Sequence, residues 1–412
     1  MNNAVRTHGK EPELRRALSL PLVVLYGLGV TIGAGIYVLI GATAGRAGVY
    51  APISFLIAAL AMAPTAASFA ELSSRMPVSA GEAAYVRHAF RSHVLALIVG
   101  LLVVTAGVVS AAAVAIGAAG YIRVFVDVPE LVIVALVTLL MGLAAGWGIV
   151  ESVSIAAVLT LIEVGGLLMI IVAGLMHDPG IVARAVDVVP VTLEPAVWAG
   201  VFSAGLLAFF AFIGFEDLVN IAEEAKDPLR TLPRAIFLTL VISTLFYVAV
   251  ASVAVLSVPI DGLATSNAPL GFVYEQVTGG SPLVISAIAI VATLNGIIVQ
   301  MIMASRVLYG LASQGDLPAI IGRVSPTTRT PLVATGIVVA VVLLLGLAFP
   351  IEWLAEMTSR VTLTVFSLMN VALLILKFRG EAPPSGSFTV RAWVPAVGLV
   401  ASLILLAHDA LL

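Results

Sequence analysis

Eleven runs of mostly apolar residues, each close to the length that crosses a bilayer, leave this chain few folds to choose from. They lie near 20–45, 51–74, 94–119, 131–147, 152–176, 196–222, 236–258, 283–311, 332–349, 354–377 and 393–411. A spanning helix needs about 20 such residues, and lipid forces every backbone polar group to find its partner inside the protein. The chain is 61% hydrophobic and only 10% charged. Ordinary globular domains stand near 45–50% and 25%. The expectation is an all-α integral membrane protein with 11 transmembrane helices. No cysteine is present, which excludes thiolate metal sites, thiol nucleophiles and any disulfide-linked subunit.

The basic residues test that count. With the N-terminus inside, 16 of the 20 Lys and Arg fall in inner segments. Arg46, Arg123 and Arg184 fall outside, and Arg360 lies within the tenth span. This is the bias of the positive-inside rule. It predicts a multi-pass cell-membrane protein with its N-terminus cytoplasmic and its C-terminus outside. Residues 1–19 read as a cytoplasmic tail without a signal-peptide cleavage site. The inner segment 78–94 has apolar Ala84, Val86, Ala89 and Phe90 spaced for a short helix along the membrane surface. The outer loop 259–282 carries no basic residue and reads either as a partly helical lid or as a plain connector.

The first span contains "YGLGVTIGAGIYVLIG", with glycines at 27, 29, 33, 35 and 41. Each costs roughly 1 kcal/mol against alanine inside a helix. A nucleotide-binding glycine loop would need a preceding strand and a following acidic residue, and the flanks here are membrane spans. Two readings stay open on this stretch alone. The glycines let neighbouring helices approach, as in Gly29-x-x-x-Gly33, or the helix is interrupted at Gly33-Ala34-Gly35. Non-helical backbone at that depth is tolerated only where it is buried or lines a cavity. The sixth span favours the second reading, because Gly214 interrupts "LLAFFAFIGFEDLVNIAEEAKDP" and Glu216 and Asp217 follow directly. The two breaks occupy the first spans of two five-span halves, 20–176 and 196–377, with 393–411 as an additional span. An odd number of spans per half turns the halves over, which is the inverted 5+5 repeat of many transporters, with its site at the paired breaks.

These stretches carry a resemblance. "GVTIGAGIYVLIG" resembles the first-span motif of the amino acid–polyamine–organocation superfamily. "FFAFIGFEDLVNIAEEAKDPLRTLPRAI" is similar to its sixth span and following loop, and "ASRVLYGLASQGDLPAIIGRVSPTTRTP" to the exit of its eighth span. The resemblance covers about residues 15–380. It implies the leucine-transporter fold, with discontinuous first and sixth spans, and secondary amino acid transport without a cofactor. It also implies that the amides of Gly33, Ala34 and Gly35 take a substrate α-carboxylate. The carbonyls of Thr31 or Ile32, and of Phe210, Ala211 and Ile213 beside Gly214, would take its α-ammonium. Exposed helix ends suit this chemistry, since N-termini offer N–H groups and C-termini offer carbonyls. Phe210 or Phe212 would cover the substrate, or simply pack in the core.

Glu163 lies at the centre of the fifth span, and an ionisable residue there is a functional hypothesis by default. Relatives often carry a lysine at what looks like this position, so their mechanism does not transfer. Glu163 is expected to carry a proton, with roles as a structural hydrogen-bonding partner or as a holder of a cation or a basic substrate left open. Weaker signals are Glu223, Glu224, Lys226 and Asp227 at the inner mouth, an Arg360–Glu356 pair at i, i+4, and Ser305 as a sodium-site hydroxyl. The five histidines make no metal pair. Ala106, Gly107 and Ser110 of the third span, with Phe210 and Phe212 of the sixth, suggest a small apolar side-chain pocket, hence alternating-access transport of small or neutral amino acids, proton-coupled or exchanging. Polyamine or cationic amino acid transport, and a transport-inactive amino acid sensor, are the alternatives. The expected partners are an amino acid, a proton in preference to sodium, and lipid, with no nucleic acid. Many relatives have twelve spans, so eleven favours a monomer.

Overall fold

The computed structural model describes residues 16–77, 81–147 and 153–407. Most of the expected tail, 1–15, and the end of the last apolar run lie outside the described residues, as does the side chain of Ala34. Among those described, the regular elements are helices. They are α1 (Leu20–Ala47), α2 (Ala51–Arg75), α3 (Gly81–Phe90), α4 (His93–Ile122), α5 (Glu130–Trp147), α6 (Val153–His177), α7 (Ile181–Arg184) and α8 (Pro195–Phe210). There follow α9 (Pro228–Ser257), α10 (Ile260–Thr265), α11 (Pro269–Thr278), α12 (Leu283–Ser313), α13 (Leu332–Ala348), α14 (Ile351–Phe378) and α15 (Trp393–Ala407). Two 3-10 helices, Gly48–Tyr50 and Phe215–Ile221, complete the set.

Each of the eleven apolar runs falls on a helix. Eight helical segments are long and apolar enough to cross a membrane, and Leu332–Ala348 and Trp393–Ala407 are shorter apolar helices beside them. Helix starts follow local chemistry. Proline opens α1, α2, α8, α9 and α11, where its missing N–H costs nothing. The Ser92 hydroxyl accepts from Leu95 N at 3.2 Å and caps α4.

α1 sits at the centre, packed against α2, α6, α8, α9 and α12. One apolar core gathers α1, α2, α8 and α9 around Ile32, Phe55 and Tyr247. A second gathers α4, α5, α12 and α13 around Val114, Val134, Ile297 and Val338.

The expected break in the first span is corrected here: α1 runs without interruption from Leu20 to Ala47. The glycines act through close approach. A Cβ on Gly35 would collide with the Ala211 backbone, and one on Gly29 with the Thr160 hydroxyl. Bare backbone lets the neighbouring chain come to within contact of α1, and that packing offsets the poor helix propensity.

The sixth run is broken where the sequence places it. α8 ends at Phe210, turns follow, and the chain resumes as the 3-10 helix Phe215–Ile221. Gly214 has φ 123°, a conformation few other residues adopt, and its N–H donates to Glu216 Oε2 at 2.8 Å.

Two flanking elements differ from, or sharpen, the expectation. Instead of lying on lipid, α3 inserts Val86 and Ala89 between α4 and α14 and buries Glu82 and Tyr85 as well. The 259–282 loop forms α10 and α11, whose Leu263 and Leu270 are fully buried beside α1. At the α3 end, Leu18 pairs with Ala225: Leu18 N donates to Glu224 O at 3.0 Å, and Lys226 N donates to Leu18 O at 2.8 Å.

Candidate functional site

The break in the sixth run meets the middle of α1. Gly214 lies against the backbone of Val30, and Ala211 against Gly35. Thr31, Ile32, Ala211 and Phe212 are buried there. A tyrosine from α9 joins the two chains: the Tyr247 hydroxyl lies 2.7 Å from the carbonyl oxygen of Thr31 and 2.7 Å from that of Ala211. One hydroxyl proton is therefore shared between two of the carbonyls that the sequence marks for an ammonium.

Phe212 stacks at a tilt on Tyr247, with ring centroids 4.8 Å apart. Phe210 turns instead toward the second core. The two rings point into different cores, which suits packing more than a shared cover.

Glu163 reaches the same region from α6. A Cβ placed on Gly33 would stand 3.6 Å from its carboxylate and 3.2 Å from the Ala292 carbonyl oxygen of α12. Asn295 Nδ2 donates to Glu163 Oε1 at 3.3 Å, and Tyr37 Oη donates to the Glu163 backbone carbonyl at 2.6 Å. Thus Thr31, Ile32, Gly33, Gly35, Glu163, Ala211 and Gly214 converge, while Phe210 stands aside. Ser305 donates within its own helix, to Ile302 O at 2.9 Å.

Beside the break, on the side toward α3, lies a small cavity of about 30 Å³. Ala106, Gly107 and Ser110 of α4 line it as the sequence suggests, together with Ile213, Gln300 and Thr362. Its acidic members are Glu82, Glu216 and Asp217. Burial pushes the Glu82 carboxyl up from 4.5 to about 7. At the opposite end, Arg46 of α1 pairs with Glu356 of α14 at 2.5 Å, and Arg360 reaches the same carboxylate at 3.5 Å, as its i, i+4 spacing predicts.

The amino acid permease family profile matches residues 18–408 of this chain. The chain belongs to the amino acid permease family. This permease is 31% identical over 398 residues to the branched-chain amino acid permease BcaP of Bacillus subtilis, covering 89% of this chain and 82% of that one. It is 29% identical to the vacuolar cationic amino acid transporter 4 of Arabidopsis thaliana, covering 91% of this chain and 65% of that protein. It is 26% identical to a methylthioribose transporter of Bacillus subtilis, with 95% and 87% covered. The permease is therefore a multi-pass membrane protein of a transporter family, and its relatives are named as permeases and transporters, not as enzymes.

Sequence reasoning missed Tyr247, Tyr37, Asn295 and Glu82. The signal for the tyrosines was available: a buried phenol needs a partner for its hydroxyl. Tyr37 and Tyr247 both stand within apolar runs.

Proposed function

We propose that this permease is a secondary active transporter that moves amino acids by alternating access. The observation that supports it best is the Tyr247 hydroxyl bridging the Thr31 and Ala211 carbonyls beside the Gly214 break. Two carbonyls drawn to one donor form an acceptor pair, and an ammonium with three donors fits such a pair better than a hydroxyl with one. On this reading the α-ammonium replaces the Tyr247 proton, contacting the carbonyls of Thr31 or Ile32 and of Phe210, Ala211 and Ile213. The α-carboxylate takes the amides of Gly33, Ala34 and Gly35. Those amides are released by local opening of α1, which is least costly at glycine.

The spans are read as two inverted five-span repeats, 20–176 and 196–377, with 393–411 added, and with the α3 end cytoplasmic. Glu163 carries the coupling proton, as its place beside Gly33 and Asn295 suggests. Small or neutral side chains suit the Ala106–Gly107 wall. The named substrates of the relatives include both branched-chain and cationic amino acids.

Uptake of radiolabelled alanine, leucine, arginine and putrescine into proteoliposomes tests the transport reading. Saturable amino acid flux is expected; ligand binding without flux would make the protein a sensor of the same fold. Transport-linked alkalinisation is expected to vanish in Glu163→Gln, and wild-type coupling in that variant would remove Glu163 from the mechanism.

A further inference from the structure

A line of hydrogen bonds runs from α11 to Glu163 through two tyrosines. The Leu270 amide of α11 donates to Tyr121 Oη of α4 at 3.3 Å. Tyr121 Oη donates to the Tyr37 carbonyl oxygen of α1 at 2.6 Å, and Tyr37 Oη donates to the Glu163 carbonyl oxygen of α6 at 2.6 Å. Leu270, Tyr121, Tyr37 and Glu163 are all fully buried. Each link joins residues between 84 and 149 positions apart in sequence, so tertiary packing alone assembles the line.

Each link does more than satisfy a buried phenol. Leu270 stands in the first turn of α11, where an amide has no acceptor within its own helix. Tyr121 supplies that acceptor. The carbonyls of Tyr37 and Glu163 lie inside α1 and α6, so the phenols take the lone pair that a helix bond leaves over. The backbone is pared to admit these contacts. A Cβ on Gly166, three residues beyond Glu163, would stand 2.5 Å from the Tyr37 hydroxyl. One on Gly120 would collide with the Asn267 carbonyl, just ahead of α11.

The line ends at the residue whose aim matters most. Gly33 and Tyr37 are four apart and share one face of α1. Glu163 meets that face twice, with its carboxylate beside Gly33 and its carbonyl under the Tyr37 hydroxyl. Farther along α1, the Leu263 carbonyl of α10 would stand 2.6 Å from a Cβ on Gly41. Residues 264–267 there wall a cavity of about 100 Å³ together with Val38 and Ala42. Seating α11 therefore fixes Tyr121, and through Tyr37 it fixes the turn of α6 that aims Glu163. α11 also packs directly on α6, so the test has to separate the two routes.

We propose that Tyr121 and Tyr37 are positioning residues, which carry the seating of α10 and α11 over this cavity to the Glu163 turn of α6. The inference deepens the transport reading and rests on it for the role of Glu163, while the line itself stands on its hydrogen bonds. Coupling of this kind is reciprocal. Whatever loosens the Glu163 turn must loosen α11, and whatever lifts α11 must free the Glu163 turn. Closure of that end and the aim of the Glu163 carboxylate are thereby one event.

Labelling and transport by the full chain test this. Val273 is buried on α11, and because the chain contains no cysteine, Val273→Cys is a single reporter of its seating. Maleimide labelling of Val273→Cys should speed up about fivefold when Tyr121→Phe is added. A similar factor is expected from Tyr37→Phe, whose missing hydroxyl faces α6 and not α11. Both changes together should match either alone, since one cut opens the line. Gly166→Ala keeps both tyrosines, displaces the Tyr37 hydroxyl and should act as Tyr37→Phe does. In proteoliposomes, protons moved per amino acid should fall in Tyr37→Phe and in Tyr121→Phe, each checked for folding by its thermal midpoint. Unchanged labelling with Tyr37→Phe overturns the proposal, as do accelerations that multiply when both tyrosines are changed. Faster labelling with an unchanged proton ratio also overturns it, because the line is then structural alone. A wild type that moves no amino acid sinks the transport reading, and labelling then upholds or overturns the line by itself.

Discussion

The hydroxyl of Tyr247 stands 2.7 Å from the carbonyl oxygen of Ala211, one residue past the end of α8. A carbonyl just beyond a helix end lacks its i+4 donor, and here a side chain from α9 supplies one. The same hydroxyl touches Thr31 in the middle of α1. Tyr247→Phe keeps the ring that packs on Phe55 and Phe212 and removes only this bridge. The expected outcome is a stability loss of about 1 kcal/mol, read as a lower thermal midpoint. A larger effect is expected on leucine uptake, whose KM should change while Phe55 packing is kept. Unchanged uptake kinetics would show that the bridge is structural alone.

Gly214→Ala tests the break itself. At φ 123° an alanine is strained, and its Cβ would press on the backbone of Val30. Overpacking of this kind costs about 1–3 kcal/mol, with the backbone strain adding to it. The variant should unfold at lower temperature and lose uptake. Wild-type behaviour would mean that the break can be rebuilt as helix without consequence.

Glu82 makes stability depend on pH in a direction that can be stated. Its carboxyl is raised from 4.5 to about 7 by burial, so the folded protein keeps a proton that the unfolded chain has already released. The contribution is fully present below pH 4.5 and is lost as pH rises to about 7. The gap corresponds to roughly 3 kcal/mol. Thermal midpoints from pH 4.5 to 8 should fall for the wild type, and Glu82→Gln should flatten that fall.

The Arg46–Glu356 pair closes the end opposite α3, joining α1 to α14. It is partly exposed, so its removal should change stability by no more than about 1 kcal/mol. Its effect belongs to access. Because the chain contains no cysteine, Ala42→Cys provides a single reporter in the cavity at that end. Maleimide labelling of Ala42→Cys should speed up several-fold when Glu356→Gln is added. An unchanged rate would remove the pair from the closure.

Much of this was legible in the sequence because lipid simplifies the code. Apolar length marked a helix for each of the eleven runs, and Gly214 with Glu216 and Asp217 marked the second break. Gly33-Ala34-Gly35 misled because glycine gives one signal for two causes. It weakens a helix, and it also lets another chain lie against it, as Ala211 lies against Gly35. Only the neighbour decides between them, and the neighbour is about 180 residues away in sequence. Glu82 was illegible for the same reason: its helix is amphipathic by pattern, and the burial of its acidic edge depends on α4, α14 and the broken run.

The pairing of Leu18 with Glu224 and Lys226 is made by main-chain atoms alone. Substitutions at 224 and 226 can therefore change the side chain without removing these bonds, whereas Leu18 is also held by its place in the core. Proline is the exception, because at 18 or 226 it would delete a donor. The tether fastens the start of α1 to the far end of the broken run. An inherited change that cut it would show as proline and little else.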